Sequence, residues 1–343
     1  MVPELVEGNT TRITVSLGVV TFPGRINAFK NFLNSIFVGS QLPNELIIVI
    51  NGIGNSNGSK ITKYIELLKN ITDQFNRPPV KLICVTENVP IGYCRALIVK
   101  YSTCDYIAIM DDDVIIDPLC MEKIIYSLRF SPDILAGRVE LPPNLPSKII
   151  KYLRERPWYN QFIFTANYKF MKIKYAISKD IFLINGISGV WTNHMVIKRE
   201  LISRIGNFNP ILGYFGDDIG GEDTEFKIRA RKSGARFLYN KNAIVYHRIN
   251  PKRLTPSYAL KRSWHHGLAY SYIFPLRYLV KACVYEFLSI FYYFLKDRRK
   301  ELFLAVTRFI SVMSGILSMR KRKYFLDKRI SGIRKAKYSL ITL

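Results

Sequence analysis

Short apolar runs alternate with amphipathic stretches along the first third of the chain. The apolar runs are rich in β-branched residues and bounded by Gly, Pro and Asn, which is typical of buried strands. The stretches between them repeat apolar positions with the period of a helix. The pattern predicts strands over 13–20, 45–50, 80–85 and 106–110, helices over 26–38 and 60–71, and a helix that opens within 88–96 and ends near 102. Strands and helices that alternate at this spacing form a largely parallel sheet with right-handed crossovers.

The middle of the chain is less regular. Residues 142–179 loosen into Pro, aromatic and basic residues, which indicates a variable insertion to which we assign no role. Order returns with a Gly-containing segment over 185–193. The pattern then predicts helices near 198–205 and over 224–233, and a strand over 243–246 that ends at His247. We therefore expect an α/β fold in which the loops at the carboxyl ends of the strands share one edge of the sheet.

Two more helices are predicted over 275–296 and 302–319. Each has a broad apolar face and a polar stripe, so both are amphipathic. Either is long enough to span a bilayer, but a two-span hairpin would leave the basic residues of 296–300 outside, against the positive-inside preference. We therefore favour helices that lie in the membrane interface, with the basic run 320–323 against anionic headgroups. Packing of both apolar faces on the rest of the chain, or on a second subunit in a homo-oligomer, is the alternative.

Composition adds a strong basic bias. The chain has 343 residues, enough for one large domain or two smaller ones, and a formal net charge of +25. Residues 251–343 carry 20 Lys and Arg against 4 Asp and Glu. Such a surface favours anionic partners, which include nucleic acid, acidic lipid headgroups and phosphorylated substrates. We expect a catalytic domain over 1–256 and a basic, membrane-associating helical region over 257–343.

The cysteines and the first residues indicate a cytosolic setting. The five cysteines are odd in number, lack Cys-x-x-Cys spacing and mostly have apolar neighbours, so we expect reduced core residues. No positively charged segment followed by an apolar run opens the chain, and we expect no secretory leader. The catalytic part is therefore expected on the cytoplasmic side of the cell membrane, held there peripherally.

Three consecutive carboxylates, Asp111, Asp112 and Asp113, follow the predicted strand 106–110. If all three were ionised they would repel one another, so they need solvent, a cation or a hydrogen-bonding ligand. Mg²⁺ and Mn²⁺ take carboxylate oxygens and share substrate phosphates, and open α/β sheets bind ligands at the carboxyl ends of strands. The triplet therefore predicts a divalent metal site. A solvated acidic turn closed by Pro118 is the alternative.

Other candidate residues stand at the ends of predicted elements. Gly92 would let backbone approach a ligand closely, and Arg95 could add a cation near phosphate. Asp223 lies before a predicted amphipathic helix, where Asp is a favourable cap. Trp191 offers an aromatic stacking face or is a half-buried core residue. His247, at the end of a predicted strand, is a structural histidine or a ligand-binding one.

Four blocks in this order resemble the family 2 glycosyltransferases, which have the nucleotide-sugar-binding GT-A fold. The resemblance covers about residues 12–250. Its blocks are Thr21–Arg25, Gly92–Arg95, the Asp triplet, and Gly221–Ala230 followed by Gly234 and His247. The fold this implies is α/β, with a Rossmann-like mixed sheet flanked by helices and followed by a C-terminal helical region.

The resemblance also implies a role for each matched residue. The implied nucleotide-sugar contacts are Thr21, Pro23, Arg25, Asn51, Gly92, Arg95, Asp111 and Asp112. The implied acceptor contacts are Trp191, Gly221 and Glu222. Asp113, Asp111 and His247 are the implied ligands of Mn²⁺ or Mg²⁺. Asp223 is the implied catalytic base, with Glu222 beside it.

Two positions depart from the family pattern. The first loop, Thr21–Arg25, has one residue more than the usual Thr-Tyr-Asn-Arg and lacks its Asn. Ile50 stands where the family usually has an Asp before Asn-Gly. Because that Asp normally contacts the base, the identity of the base stays open. Asn51 could instead bond the edge of a pyrimidine.

The expected activity is that of a metal-dependent, inverting glycosyltransferase at the cytosolic membrane face. It would move a sugar from a nucleotide-diphosphate sugar to a lipid-linked or glycan acceptor. A nucleotidyltransferase of related fold is one rival, but it would favour a Gly-rich loop with Lys or Arg after the first strand, which Thr21–Arg25 matches poorly. A nucleic-acid-binding protein is the other, and the long apolar helix faces of the tail argue against nucleic acid as a partner.

Overall fold

The computed structural model describes residues 12–54, 58–72, 78–147, 151, 155, 173–184, 190–215, 220–248, 250, 253 and 255–343. Every structural statement below concerns these residues. Most of the predicted insertion 142–179 and the greater part of the segment 185–193 lie outside them.

Four parallel strands form one half of the sheet, as the sequence pattern predicts. They lie in the order β3, β2, β1, β4. The strands are β1 (Val15–Thr21), β2 (Glu45–Asn51), β3 (Val80–Val85) and β4 (Tyr106–Asp111). The helices between them are α1 (Ile26–Phe37), α2 (Gly58–Thr72) and α3 (Ile91–Tyr101). Every residue of β1 and β2 is buried, which explains why both read as unbroken apolar runs.

The other half of the sheet mixes strand directions. Its strands are β5 (Val114–Ile116), β6 (Ile134–Glu140), β7 (Ile173–Ala176), β8 (Ile181–Ile184), β9 (Met195–Lys198) and β10 (Phe237–His247). Its helices are α4 (Cys120–Leu128), α5 (Arg199–Ile205) and α6 (Glu222–Lys232). Strand β9 pairs antiparallel with both β4 and β6, and β10 runs parallel to β6. The sheet is therefore mixed, as expected for the fold class.

Apolar clusters cover both faces of the sheet. Helices α1, α2 and α4 pack on one face, with Phe29, Phe32 and Tyr64 among their buried residues. Helices α3, α5 and α6 pack on the other. Gly18 brings α3 against β1, because a Cβ there would lie 2.2 Å from the side chain of Ile98. All five cysteines are free and four are buried, which agrees with the expected reduced core residues.

The last part of the chain is helical and then returns to the sheet. Its elements are α7 (Pro256–Ile273), α8 (Leu276–Leu295), α9 (Arg299–Ser318), α10 (Arg322–Lys335) and β11 (Tyr338–Thr342). Strand β11 pairs antiparallel with β3 and so covers an edge of the parallel half. The sequence pattern missed this strand. The division of the chain at residue 256 stays a prediction.

Helix α9 contacts both α7 and α8, and it turns its hydroxyl residues inward. Thr307, Ser311 and Ser314 are buried. The Ser314 hydroxyl donates to the carbonyl of Trp264 in α7 at 2.6 Å. A Cβ on Gly267 would lie 2.2 Å from the Ser311 carbonyl oxygen, so the two helix backbones approach closely. The polar stripe that makes 302–319 amphipathic is therefore a contact between helices and not a surface for headgroups, because hydroxyls bonded to nearby carbonyls tolerate burial.

Helix α8 is exposed along most of its length. Only Leu279 and Glu286 are buried, and Glu286 Oε1 accepts a hydrogen bond from Arg308 of α9 at 2.8 Å. Its exposed large apolar residues include Val284, Phe287, Leu288, Phe291, Phe294 and Leu295. Among the described residues, Leu276–Leu295 and Arg299–Lys335 are the two helical stretches long and apolar enough to cross a bilayer, judged by length and composition.

Candidate active site

Loops from four elements meet at the carboxyl edge of the parallel strands. Thr21 ends β1, and Asp111 ends β4 beside it in register with Val20. Asn51 ends β2, and Glu222 opens α6. Because parallel neighbours end at the same edge, residues far apart in the sequence converge there.

The loop after β1 holds the acidic triplet in place. The Thr21 hydroxyl donates to Asp112 Oδ2 at 2.8 Å. Arg25 Nη2 lies 2.8 Å from both Asp112 Oδ1 and Asp113 Oδ2. Thr21 and Asp112 are buried, so their polar atoms are spent on each other and on Arg25. Their predicted contact with a nucleotide stays a prediction. Pro23 is half-buried in the turn between Thr21 and Arg25.

The carboxyls of the triplet have different pKa values because their surroundings differ. Burial raises the pKa of Asp112 to about 7, against the opposing charge of Arg25. Burial also works to raise the pKa of Asp113, but the neighbouring His247 and the charge of Arg25 outweigh it and hold the pKa well below its usual range. Asp113 is therefore the member of the triplet most firmly held as a carboxylate, as a cation ligand must be.

Arg95 joins the acidic triplet to the Glu-Asp pair. Its side chain is buried; Nη2 donates to Asp111 Oδ1 at 3.0 Å, and Nη1 forms an ion pair with Glu222. Burial raises the pKa of Glu222, with Asp223 adding to the effect and Arg95 opposing it. The sequence predicts Arg95 as a nucleotide contact. Its guanidinium is engaged by two carboxylates, which indicates that it fixes their separation, and its contact with a nucleotide stays a prediction.

Asp223 has a separate cation. Lys227 lies one helical turn later in α6, is 2% exposed, and places Nζ 3.4 Å from Asp223 Oδ2. Burial works to raise the pKa of Asp223, but Lys227 and Arg95 outweigh it and the pKa lies below its ordinary value. Lys227 Nζ also lies 4.4 Å from the centre of the Trp191 ring and donates to the Val190 carbonyl. Lys227 therefore contacts both Trp191, the predicted acceptor residue, and Asp223, the predicted base, and both roles stay predictions.

Two predicted ligand contacts are engaged by the protein itself. The Asn51 side-chain amide donates to the Val89 carbonyl at 2.8 Å and accepts from the Val89 N–H at 3.0 Å. Gly92 donates its N–H to the Leu212 carbonyl, and a Cβ on it would lie 2.4 Å from the Asn209 carbonyl oxygen. Its close approach is therefore to the 209–215 loop, not to open space for a ligand. The predicted ligand contacts of Asn51 and Gly92 stay predictions.

The donor set at Asp113 fits a divalent cation. Asp113 Oδ1 is buried, has no hydrogen-bond partner among the described residues, and lies 3.4 Å from His247 Nε2. No group of three or more His, Cys, Asp and Glu side chains is poised for a metal within the described ranges. Mg²⁺-type ions commonly bind one or two carboxylates and take their other ligands from substrate phosphates and water.

Three residues of the site escape the sequence analysis. Lys227 stands four residues after Asp223, a helical spacing that could have suggested the pair. Arg262 and His266 of α7 show the same spacing; Arg262 Nε lies 3.2 Å from His266 Nε2. A Cβ on Gly220 would lie 3.7 Å from His266 Nε2, and both α7 residues interact electrostatically with Asp223. Burial lowers the pKa of His266 to about 3, which keeps its imidazole neutral.

This combination of fold and site defines a class. The chain is a glycosyltransferase with the GT-A fold, in which a mixed sheet presents an acidic triplet and a Glu-Asp pair at one edge. The glycosyl transferase family group 2 profile matches residues 106–320, more than half of the sequence. The chain belongs to that family.

The chain is also similar to individual proteins. The glucosyl-dolichyl phosphate glucuronosyltransferase of Haloferax volcanii is 23% identical over 256 residues, which is 74% of this chain and 75% of that protein. The structure of S. aureus TarS 1-349 aligns with a TM-score of 0.50 at 12% identity, over 90% of this chain and 92% of its own. A longer TarS structure, with a TM-score of 0.48 at 13% identity, aligns over 73% of this chain and only 39% of its own.

One further structure carries ligands. The mannosyltransferase PcManGT from Pyrobaculum calidifontis, solved in complex with GDP-Man and Mn²⁺, has a TM-score of 0.47 and 13% identity, over 95% of this chain and 81% of its own.

Proposed function

We propose that this protein is a metal-dependent, inverting glycosyltransferase that moves a sugar from a nucleotide-diphosphate sugar to a lipid-linked acceptor at the cytosolic membrane face. The arrangement of Asp223 is the observation that carries the proposal. It is a buried carboxylate with a depressed pKa and is held by Lys227, while its neighbour Glu222 is linked through Arg95 to the acidic triplet. A proton acceptor and a cation-binding cluster thus face one site from separate loops.

The chemistry asks for a proton acceptor apart from the leaving group. In a single displacement the acceptor hydroxyl attacks the anomeric carbon, the bond to the donor phosphate breaks, and the hydroxyl proton passes to Asp223. Asp223 starts ionised because Lys227 and Arg95 depress its pKa. Glu222, whose pKa is raised, remains beside it to orient the acceptor, with Gly221 and Trp191 completing that wall. One displacement inverts the anomeric configuration.

The acidic triplet serves the leaving group. Asp113 would hold the divalent cation together with Asp111 and His247, and a bound Mn²⁺ or Mg²⁺ would neutralise the growing charge of the diphosphate. Asp111 and Arg25 keep about a third of their side-chain surface exposed, so they are the members of this cluster best able to meet the donor. The remaining predicted donor residues would then support the donor site without meeting the donor first: Thr21, Pro23, Asn51, Gly92, Arg95 and Asp112.

The membrane assignment rests on α8. Its outward face is apolar over five turns, while Arg277 and Lys281 at its start and Lys296 after its end are basic. An apolar face with cations at both ends matches an anionic bilayer surface. The name of the Haloferax volcanii relative includes a dolichyl phosphate lipid, which supports a lipid-linked acceptor over a soluble glycan.

Donor binding and product stereochemistry test the proposal together. Nucleotide diphosphates and nucleotide sugars would be screened for a rise in melting temperature with and without Mn²⁺, since a ligand at 100 times its Kd adds about 2.7 kcal/mol of stability. NMR coupling constants of the product then give its anomeric configuration. We expect one donor class to stabilise the protein only with Mn²⁺, and inversion of configuration. Retention of the anomeric configuration would disprove the single-displacement mechanism. A rise in melting temperature that is the same with and without Mn²⁺ would disprove the cation site.

A further inference from the structure

The 209–215 loop lies against Glu222, the residue that we propose orients the acceptor. It joins α5 to the segment that leads into α6. Its Leu212 and Tyr214 carbonyls accept hydrogen bonds from the N–H groups of Gly92 and Ile91 at 3.1 and 3.0 Å. Gly213 has a φ of 98°, and a Cβ there would lie 3.0 Å from Glu222 Oε2. The loop therefore fits tightly between the start of α3 and the carboxylate of Glu222.

Helix α10 holds the same loop from its other side. Arg329 Nη1 donates to the carbonyls of Ile211 at 2.6 Å and Gly213 at 3.1 Å. The guanidinium carbon lies 5.6 Å from the centre of the Phe215 ring. Arg329 is 3% exposed, whereas its helix neighbours Lys328 and Arg334 are exposed. The two carbonyls at Nη1 offset part of the cost of burying this guanidinium, so the contact is specific and not an incidental surface bond.

The same helix is joined to the helical tail. The Tyr272 hydroxyl of α7 donates to the Arg322 carbonyl at the start of α10 at 3.0 Å, and the Arg322 guanidinium lies 5.2 Å from the Tyr272 ring. Helix α7 packs on α9, which packs on the exposed α8. A continuous set of contacts therefore runs from the outer helix to the 209–215 loop.

We infer that Arg329 is a positioning residue, which sets the 209–215 loop against Glu222 and so controls use of the acceptor. This inference rests on the proposed role of Glu222 in acceptor binding. Arg329 touches neither the acidic triplet nor Asp223 in the described contacts. The loop meets one proposed donor residue, Gly92, through a backbone bond, so we expect loss of Arg329 to affect use of the acceptor more than use of the donor. Lysine keeps the charge but offers a point donor in place of the planar fork, so it would restore the function only in part.

Hydrogen exchange tests the geometry without any substrate. Arg329→Gln would be compared with Arg329→Lys and with the exposed control Lys328→Gln. We expect the amides of Ile91 and Gly92, which bond the loop, to exchange at least tenfold faster in Arg329→Gln. Amides of β1 and β4 should keep their wild-type rates. Unchanged exchange at Ile91 and Gly92, or an equal increase throughout the sheet, would overturn the inference.

Kinetics separates positioning from general destabilisation. The probe is a short-chain polyprenyl phosphoglucose as acceptor, with release of nucleotide diphosphate in its absence as a measure of donor hydrolysis. Arg329→Gln should raise the acceptor KM about tenfold while donor hydrolysis stays within twofold, and Arg329→Lys should fall between. A loss of hydrolysis equal to the loss of transfer would overturn the inference. Glu222→Gln, run in parallel, tests the proposed function itself: normal acceptor KM there would refute the role of Glu222 whatever Arg329 does.

Discussion

At the scale of single residues, each carboxylate of the site is paired with a basic side chain. Arg25 serves Asp112 and Asp113, Arg95 serves Asp111 and Glu222, and Lys227 serves Asp223. The sequence was enough to predict a site at the acidic triplet, because consecutive Asp residues after a strand are conspicuous. The bonds of Arg95 could not be predicted, since Glu222 lies 127 residues away and only the fold brings them together.

Replacing the proposed base should remove turnover and leave donor binding. Asp223→Asn keeps the size of the side chain and removes the proton acceptor, so kcat should fall about 100-fold to 10,000-fold. Donor affinity, measured by calorimetry with Mn²⁺, should stay within twofold. Glu225→Gln is the control, because Glu225 pairs with Arg229 on the same helix and does not contact Asp223 in the described bonds. Near-normal turnover in Asp223→Asn would exclude it as the base.

Replacing the proposed metal ligand should act on the donor instead. Asp113→Asn removes one charge from the triplet and the oxygen best placed for a cation, so the Mn²⁺-dependent part of donor affinity should disappear. The melting temperature should shift only slightly, because relief of repulsion within the triplet offsets the lost ion pairs. Calorimetric titration with and without Mn²⁺ measures both effects, and Asp297→Asn provides an exposed control. Donor affinity that still responds to Mn²⁺ would remove Asp113 from the metal shell.

At the scale of elements, the local pattern of apolar and polar residues was enough to predict the strands of the parallel half of the sheet. It was not enough to predict those of the mixed half. Strands β1 to β4 are apolar on both faces and bounded by turn residues, so each is visible alone. Strand β9 has four residues and is ordered by pairing with β4 and β6, and β6 carries Gly137 and Arg138 within it. Gly137 is needed because a Cβ there would lie 1.8 Å from the His194 ring. These strands depend on contacts with residues distant in the sequence, and the local pattern does not show which residues those are.

One contact between elements gives a pH prediction. Glu45 begins β2 and accepts hydrogen bonds from Ser16, Lys81 and Thr103, which outweigh the effect of burial and lower its pKa to about 2. A carboxyl with a depressed pKa stabilises the fold fully above its unfolded pKa, and this stability is lost as pH falls from about 4.5 toward 2. Glu45→Gln should therefore cost about 3 kcal/mol at pH 7 and flatten the acid limb of the stability curve.

Urea denaturation at several pH values checks this. Glu122→Gln is the matched control, because Glu122 also pairs with a lysine but is partly exposed to solvent, where such pairs contribute little. Equal losses in the two variants at pH 7, or an acid limb that Glu45→Gln leaves unchanged, would contradict the assignment.

At the scale of the whole molecule, the helical tail is tied to the catalytic sheet at both of its ends. Helix α7 contributes Arg262 and His266 next to Asp223, and β11 pairs with β3. A truncation near Ser257 would therefore damage the site as well as any membrane contact. Substitutions on the outer face of α8 separate the two effects.

The membrane proposal predicts a loss of vesicle binding from α8 alone. Leu288, Phe291 and Leu295 are each more than half exposed, so changing all three to Gln should barely alter the melting temperature. Each should remove about 1.5–3 kcal/mol of apolar transfer on binding a bilayer. Sedimentation with vesicles containing anionic lipid should fall at least tenfold, whereas the same number of Gln substitutions at exposed lysines of α10 should reduce binding only at low salt. Wild-type sedimentation by the α8 variant would place the membrane contact elsewhere.

The pairing of β11 with β3 also sets an order of events during synthesis. Thr86 donates its backbone N–H to the Lys337 carbonyl beside this pair, and the two residues are 251 positions apart. Strand β3 therefore remains an open edge until residues 338–342 have been synthesised. Open edges invite pairing with other chains. Helices α8 and α9 emerge before β11, so the outer helix reaches its surroundings while the sheet is still unfinished. A cell that delays the late part of translation would therefore expose β3 to aggregation, and chaperones that cover strand edges should matter most for this protein during that interval.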